Sequence, residues 1–219
     1  MGERPILFSA PMVRALLAGT KTQTRRAIKH RMGSRVWQEQ RPNGSLGWTT
    51  NLGHAYGNTT ALLCPYGQAG DQLWVREAFM HEPADYCWEA SVSIPSRPAS
   101  TVYRADFPES QPGEGWKPSI HMPRKLSRIQ LEVTGVRVER LQAISEADAI
   151  AEGIQTMAEH DRDMKPTGRT LGLMKWPGDE AYWDTPRNAY ASLWEQINGP
   201  GGWDANPRVW VVEFRRLKP

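Results

Sequence analysis

The chain has 219 residues, of which 39% are hydrophobic and 23% charged, and its formal net charge at pH 7 is +3. It contains two cysteines, and its apolar runs fall far short of the ~20 residues that span a bilayer. This composition excludes a disulfide-rich secreted scaffold and a helical membrane protein, and it predicts a cytoplasmic protein with no membrane partner.

The N-terminal segment predicts a strand, a helix and a second extended stretch. Residues 6–8 form a short apolar run typical of a strand. We expect the helix to begin beside Pro11, because proline is tolerated in a first helical turn, and to end at Gly19. Residues 22–24 follow that turn and favour an extended conformation.

Three further strands are predicted downstream. Residues 73–75 follow a Gly-Asp turn, and residues 209–214 form an apolar run typical of a buried strand. Residues 129–138 predict a long strand whose alternation slips at Thr134 and Gly135, as at a β-bulge.

Two more helices are indicated by capping residues. Ser145 followed by acidic residues is an N-terminal signature, and Gly153 is expected to end that helix. Thr185 and Pro186 open another helix, which should run to about Gln196. Because helices do not follow each strand, the order of elements predicts an α+β fold with a small mixed β-barrel and two or three short helices.

The segments between these elements are expected to be long loop insertions in a single domain of residues 1–219. They cover residues 30–63, 81–117, 156–184 and 198–208, and they hold seven of the chain's ten tryptophans. Since indole rings bury a large apolar area, we expect these tryptophans to pack the insertions against the core.

Charge is distributed unevenly along the chain. Residues 1–41 hold nine Lys and Arg against two Glu, whereas residues 144–164 hold six acidic residues against one Arg. A basic N-terminal region suits a phosphate-bearing or nucleic-acid partner. The same pattern also fits a solvated basic face that is balanced by an acidic one.

The sequence lacks the signature motifs of several classes of enzyme. There is no phosphate-binding GxxxxGK[ST] loop and no GxSxG nucleophile elbow. The histidines and cysteines, His54, Cys64, His81, Cys87 and His121, lack metal-ligand spacing. We therefore expect neither a metal nor another cofactor.

The densest chemical feature is the turn formed by residues 19–26, with the sequence GTKTQTRR. Lys21 and the hydroxyl of Thr24 suit a base and a nucleophile, provided that the amine is desolvated or crowded by cations such as Arg25 and Arg26. The competing interpretation is a basic turn that only binds phosphate or solvent.

This turn, Gly19-x-Lys21-x-x-Thr24-x-Arg26, resembles the signature of the ASCH family, a branch of the PUA-like superfamily of small β-barrels. Many members have Glu where this chain has Thr24, and the bacterial N4-acetylcytidine amidohydrolases have Thr. Further matches to long phage-type members lie in blocks at residues 6–9, 70–77, 145–149, 151–154 and 209–211.

The resemblance implies a metal-independent hydrolase that releases cytidine and a carboxylic acid from N4-acetylcytidine or a related N4-acylated cytosine nucleoside. It implies Lys21, Thr24 and Glu152 as catalytic residues, with Glu146 as the competing acid. Either Thr24 attacks the acyl carbon, or Lys21 and Glu152 activate a water that Thr24 orients.

The same resemblance implies substrate-binding residues, which are Ser9, Arg26, Trp74, Arg76 and Glu77. Two of these assignments have structural alternatives, because Trp74 also suits a core position and Arg76–Glu77 also suits a salt bridge. The alternative function is an RNA-binding module, with RNA cleavage as a third possibility.

Overall fold

A computed structural model describes residues 2–28, 64–82, 100–108, 115–156 and 183–217, together with six short strand segments elsewhere. The helices are α1 (Ala10–Ala18), α2 (Glu146–Ala151) and α3 (Pro186–Asn198). Short 3-10 turns cover Arg104–Asp106, Ser119–His121, Arg124–Leu126 and Leu141–Ala143. The strands are β1 (Glu3–Leu7), β2 (Gln23–Ala27), β3 (Val36–Gln40), β4 (Leu46–Thr50), β5 (Thr60–Ala61), β6 (Gln72–Arg76), β7 (Phe79–Glu82), β8 (Tyr86–Cys87), β9 (Val92–Ser93), β10 (Ser100–Tyr103), β11 (Gln130–Arg140), β12 (Gln155–Thr156), β13 (Met174–Lys175) and β14 (Arg208–Arg216).

The core is built on one five-stranded sheet in the order β1-β6-β11-β14-β2. The β1–β6 pair is parallel, and the other pairs are antiparallel. Along β11 the register with β14 shifts between Val133 and Gly135, which confirms the predicted bulge. The α+β class expected from the sequence is therefore confirmed.

The expected closure into a barrel is wrong for the strands that the structure describes. β1 and β2 are the two edges of the sheet, and no backbone ladder joins them in the described ranges. They are connected through α1, whose Val13 and Leu16 are buried in the core. A single side chain bridges the edges, since Arg26 Nη2 on β2 donates to the Leu7 carbonyl of β1 at 2.6 Å.

The predicted helix ends are confirmed by their capping geometry. α1 ends at Gly19, whose φ of 79° is the left-handed conformation that glycine adopts without steric cost. The Ser145 hydroxyl accepts a hydrogen bond from the Asp148 amide at 3.1 Å, and the Thr185 hydroxyl accepts one from the Asn188 amide at 3.2 Å. α2 and α3 therefore begin at the predicted residues.

The insertions are more ordered than the sequence predicts. The segment 30–63 carries the three-stranded sheet β3-β4-β5, the segment 81–117 carries β8, β9 and β10, and β13 lies within 156–184. These strands have two to five residues each, too few for a periodic pattern to be visible in a polar sequence. The prediction of loops in these three segments is therefore wrong in part.

The tryptophan prediction is confirmed for Trp183 and Trp203, which are half-buried and pack against the core. Trp116 packs on Phe107 of its own insertion, with 5.8 Å between the ring centroids. The other four indoles of the insertions lie outside the described side chains. Within the described ranges, no helix combines the length and the apolar character needed to cross a bilayer.

Candidate active site

The candidate site lies where the turn after α1 meets the end of α2. The amides of Thr20 and Lys21 both donate to the Ala15 carbonyl, at 3.0 and 3.2 Å, so the chain turns sharply there. The amide of Thr22 then donates to the Ala151 carbonyl at 2.8 Å. This backbone contact sets Lys21 beside Glu152, the residue that caps the C-terminus of α2.

The ammonium group of Lys21 is fully engaged. Its Nζ lies 2.8 Å from each of three acceptors, namely the Glu152 carboxylate oxygen Oε2, the Glu152 carbonyl and the Gln23 carbonyl. An ammonium has three N–H donors, so all of them are used. The Lys21 side chain is fully buried, and the Glu152 side chain is 3% exposed.

The surroundings of Lys21 lower the pKa of its ammonium group. Burial lowers the pKa of Lys21, the Glu152 carboxylate opposes this shift, and Arg26 and Arg25 add to the lowering. The proton between Lys21 and Glu152 is therefore easier to move than it would be between the same groups in water.

Arg25 holds the acidic side of the site together. Its Nη2 lies 2.9 Å from Asp148 and 3.2 Å from Glu139, and its Nη1 lies 3.5 Å from Glu152. Burial raises the pKa of Asp148, but Arg25 and Arg137 outweigh this and hold that pKa below its ordinary value. Part of the basic N-terminal charge is thus neutralised internally by the acidic segment, which favours a structural role for that part of the charge.

A pocket opens beside this ion-pair network, at the edge strand β2. Its cavity volume is about 50 Å³, below the ~300–1,000 Å³ of sites that enclose a whole small molecule, so a larger ligand would lie partly outside it. Thr24, Arg26 and Glu152 line its polar wall. The other wall is α3, which contributes Tyr190, Leu193 and Trp194.

Thr24 is 2% exposed and lies opposite Val212 of the neighbouring strand. None of the three N–H groups of Lys21 is directed at it, because each has another acceptor. Thr24 lines the pocket, whereas Lys21 lies behind the Glu152 carboxylate and is not among the lining residues, so the two side chains do not hydrogen-bond each other in this arrangement.

Of the five predicted substrate-binding residues, only Arg26 lines the pocket. Ser9 is the exposed N-cap residue of α1. Trp74 and Arg76 are half-buried on β6, alternating with the buried core residues of that strand. Trp74 is not a core residue, since its ring lies 5.4 Å from the Arg76 guanidinium and 5.9 Å from that of Arg124.

Glu77 belongs to a separate cluster. It is 1% exposed and forms a two-pronged contact with Arg128, at 2.9 and 3.0 Å, while Arg128 also binds Asp106. Burial raises the pKa of Glu77, and Arg128 opposes that shift. The alternative of an Arg76–Glu77 salt bridge is wrong, because Arg128 takes the place of Arg76.

Sequence reasoning did not find the roles of Tyr190, Arg25 and Asp148. Tyr190 has the spacing of a core-facing helix residue, and that spacing does not distinguish a pocket wall from the core. The sequence indicates Arg25 only as a cation beside Lys21, and Asp148 only as an acid of the first helical turn. The carboxylate partners of Arg25 lie more than 100 residues away in the chain, a separation that no local pattern reports.

Among the described residues, no three His, Cys, Asp or Glu side chains are grouped in a way that would hold a metal ion. Comparison of the chain with protein-family models, with curated proteins and with solved structures found no match.

Proposed function

We propose that this protein hydrolyses the exocyclic amide of N4-acetylcytidine or a related N4-acylated cytosine nucleoside. The observation that carries the proposal is the buried ion pair of Lys21 and Glu152, 2.8 Å apart, in which the Glu152 residue lines the same pocket as Thr24. The proposal joins this geometry to the resemblance between residues 19–26 and the ASCH turn; a closed barrel is not part of it, because the described sheet is open.

In the proposed reaction the Thr24 hydroxyl oxygen attacks the acyl carbon. Lys21 has no vacant lone pair while it is an ammonium, so it first passes a proton to Glu152, to which it already donates. The neutral amine then takes the Thr24 proton. The C–N4 bond breaks as Glu152 returns its proton to the departing amino group, which frees cytidine.

Water completes the cycle by hydrolysing the acyl ester on Thr24, which releases the carboxylic acid. In the alternative route, Lys21 and Glu152 activate a water that attacks the acyl carbon directly, and Thr24 orients it. Both routes use the lowered pKa of Lys21 and the proton relay to Glu152. They differ in whether an acyl group is ever bound covalently to Thr24.

The two walls of the pocket suit such a substrate. A cytosine ring offers a flat face for the aromatic side of the pocket, where Tyr190 and Trp194 lie 6.3 Å apart between ring centroids. The amide to be cleaved would then face the polar wall. No charged group on the substrate is required, which fits a pocket whose cations already have carboxylate or carbonyl partners.

The test is release of cytidine from N4-acetylcytidine by the purified protein and by its Lys21→Ala, Thr24→Ala and Glu152→Ala variants. We expect release by the wild type and loss of about 100-fold or more in each variant. Glu146→Ala is the matched control, because Glu146 is an exposed acid of the same helix. Absence of release by the wild type across several acyl groups would contradict the proposal.

A second candidate function, RNA binding, is favoured by one observation. Trp74, Arg76 and Arg124 form a cluster outside the pocket, with a ring and two guanidinium groups of the kind that bases stack on. Salt-sensitive RNA binding that Thr24→Ala leaves unchanged, in a protein without turnover, would favour this candidate. RNA cleavage would appear as shortened RNA in the same assay.

A further inference from the structure

Cleavage of an amide develops negative charge on the acyl oxygen, and the proposed mechanism needs a donor for it. Lys21 is the obvious cation, but its three N–H groups are held by Glu152 and Gln23. Any hydrogen bond from Lys21 to the substrate would therefore break one of these buried contacts. The donor has to come from elsewhere in the pocket.

Tyr190 is a neutral donor on the pocket wall. It lies on α3, is 3% exposed, and lines the pocket together with Thr24 and Glu152. Its ring is held between Trp194 at 6.3 Å and Trp203 at 6.4 Å, so the position of the hydroxyl is fixed by packing. Within the described residues, that hydroxyl makes no hydrogen bond.

The ring of Tyr190 is buried while the residue lines the pocket, so a hydroxyl without a partner among the described residues is free to bind a ligand there. Burial raises the pKa of Tyr190 well above its ordinary value, and the nearby Glu152 carboxylate raises it further. The group is therefore a neutral O–H throughout the range in which the Lys21–Glu152 pair would work.

We propose that Tyr190 is a further catalytic residue, whose hydroxyl donates a hydrogen bond to the acyl oxygen as the tetrahedral intermediate forms. The inference rests on the proposed amidohydrolase function. No proton is transferred in this step: the O–H bond of Tyr190 stays intact and stabilises the oxyanion. The contact strengthens only as charge develops, so it accelerates the reaction more than it tightens substrate binding.

Arg26 is the competing donor. It lines the same pocket, and its Nε has no partner in the described part of the chain. Its Nη2, however, is anchored on the Leu7 carbonyl at 2.6 Å, and its guanidinium lies 5.4 Å from the Phe8 ring centroid. Removal of the phenolic oxygen alone separates the two donors, because it leaves Arg26 untouched.

The experiment compares wild type with Tyr190→Phe, which keeps the ring and its packing against the two tryptophans. Steady-state hydrolysis of N4-acetylcytidine should show kcat reduced about 100-fold, with KM changed less than about threefold. A phosphonate analogue of the tetrahedral intermediate should bind Tyr190→Phe more weakly by a similar factor. Tyr103→Phe is the matched control, because its hydroxyl donates to the Leu126 carbonyl away from the pocket.

The two assays distinguish the role of Tyr190 from the proposed amidohydrolase function. A Tyr190→Phe variant that turns over and binds the analogue as wild type does would overturn the role of Tyr190 and leave the amidohydrolase function standing. A wild type that neither hydrolyses the nucleoside nor binds the analogue would overturn both. An equal loss in Tyr103→Phe would assign the effect to stability and would also overturn the role of Tyr190.

Discussion

Lys21 shows how far burial changes the chemistry of one residue. In water its ammonium would be stable at any neutral pH, whereas here it depends on one carboxylate and two carbonyl oxygens. Glu152 shows the converse: a carboxylate at the C-terminal end of a helix gains nothing from the helix dipole, and it is kept there by Lys21 and Arg25.

The first prediction concerns pH. Because burial lowers the pKa of Lys21, the neutral amine forms at lower pH than the ordinary value of 10.5 would allow. In the proposed mechanism the Lys21–Glu152 pair works with one shared proton, which Glu152 later gives to the leaving amino group, so loss of that proton to solvent should slow the reaction. We therefore expect kcat for N4-acetylcytidine to fall as the pH rises through the pKa of Lys21, and to do so below 10.5. A pH–rate profile measures this directly, and a kcat that keeps rising up to pH 10.5 would contradict it.

At the residue scale, the sequence predicted part of the site. The turn motif and its resemblance indicated Lys21, Thr24 and Glu152, and the first and last of these do meet. Trp74, Arg76 and Glu77 were assigned to the pocket because they follow one another in a matching block. Trp74 and Arg76 alternate with buried core residues on β6 and lie outside the pocket, and Glu77 is bound by Arg128. The order of these residues in the sequence does not reveal this placement.

At the scale of elements, helix ends and the bulge were predictable because each has a local cause. Gly19, Ser145 and Thr185 act through their own backbone or hydroxyl, within three residues of the position they fix. The short strands of the insertions have no such cause. They form because a partner strand is available in the folded chain, and their own sequence does not differ from that of a loop.

The second prediction tests the cap of α2. Ser145→Ala removes the hydrogen bond to the Asp148 amide and should lower the free energy of unfolding by about 1 kcal/mol. Urea unfolding followed by circular dichroism measures the change. Thr185→Ala, at the equivalent position of α3, is the matched variant and should behave alike.

If Ser145→Ala left the unfolding free energy unchanged, the cap would not contribute to stability and α2 would be held by packing alone. Because α2 carries both Asp148 and Glu152, a loosened first turn should also slow the proposed reaction. We expect that loss to be smaller than the loss caused by changing Glu152 itself.

At the scale of the whole molecule, the sheet is open where a barrel was expected. The sequence indicated the strands of the sheet correctly, but closure depends on how two edges meet. That property is not encoded in the alternation of any one strand. In this protein the edge at β2 carries the candidate pocket, so the open edge and the site are the same part of the molecule.

The third prediction concerns global stability. Lys21→Met should lower the free energy of unfolding by about 3 kcal/mol, because it leaves the Glu152 carboxylate buried with only Arg25 beside it. The double variant Lys21→Met/Glu152→Met should be more stable than Lys21→Met, since both lose the same carbonyl contacts but only the single variant keeps a buried carboxylate that has lost its 2.8 Å partner. Chemical denaturation compares them.

A double variant less stable than Lys21→Met would mean that Glu152 supports the fold independently of Lys21. The expected order would instead show that the loss in Lys21→Met comes from the carboxylate left without Lys21. A double variant more stable than the wild type would further show that the ion pair is retained at some cost in stability. Such a cost is typical of groups that serve a reaction rather than the fold.

The rate of cytidine release from N4-acetylcytidine by Glu152→Gln tests whether the Lys21–Glu152 pair carries out the hydrolysis. This substitution keeps the size of the side chain and its ability to accept a hydrogen bond from Lys21, but it removes the proton relay. We predict a rate at least about 100-fold below wild type, measured at a temperature at which circular dichroism shows the variant folded, and we expect Glu146→Gln to be unaffected. A Glu152→Gln rate equal to that of the wild type would show that Glu152 relays no proton and would contradict the proposed mechanism.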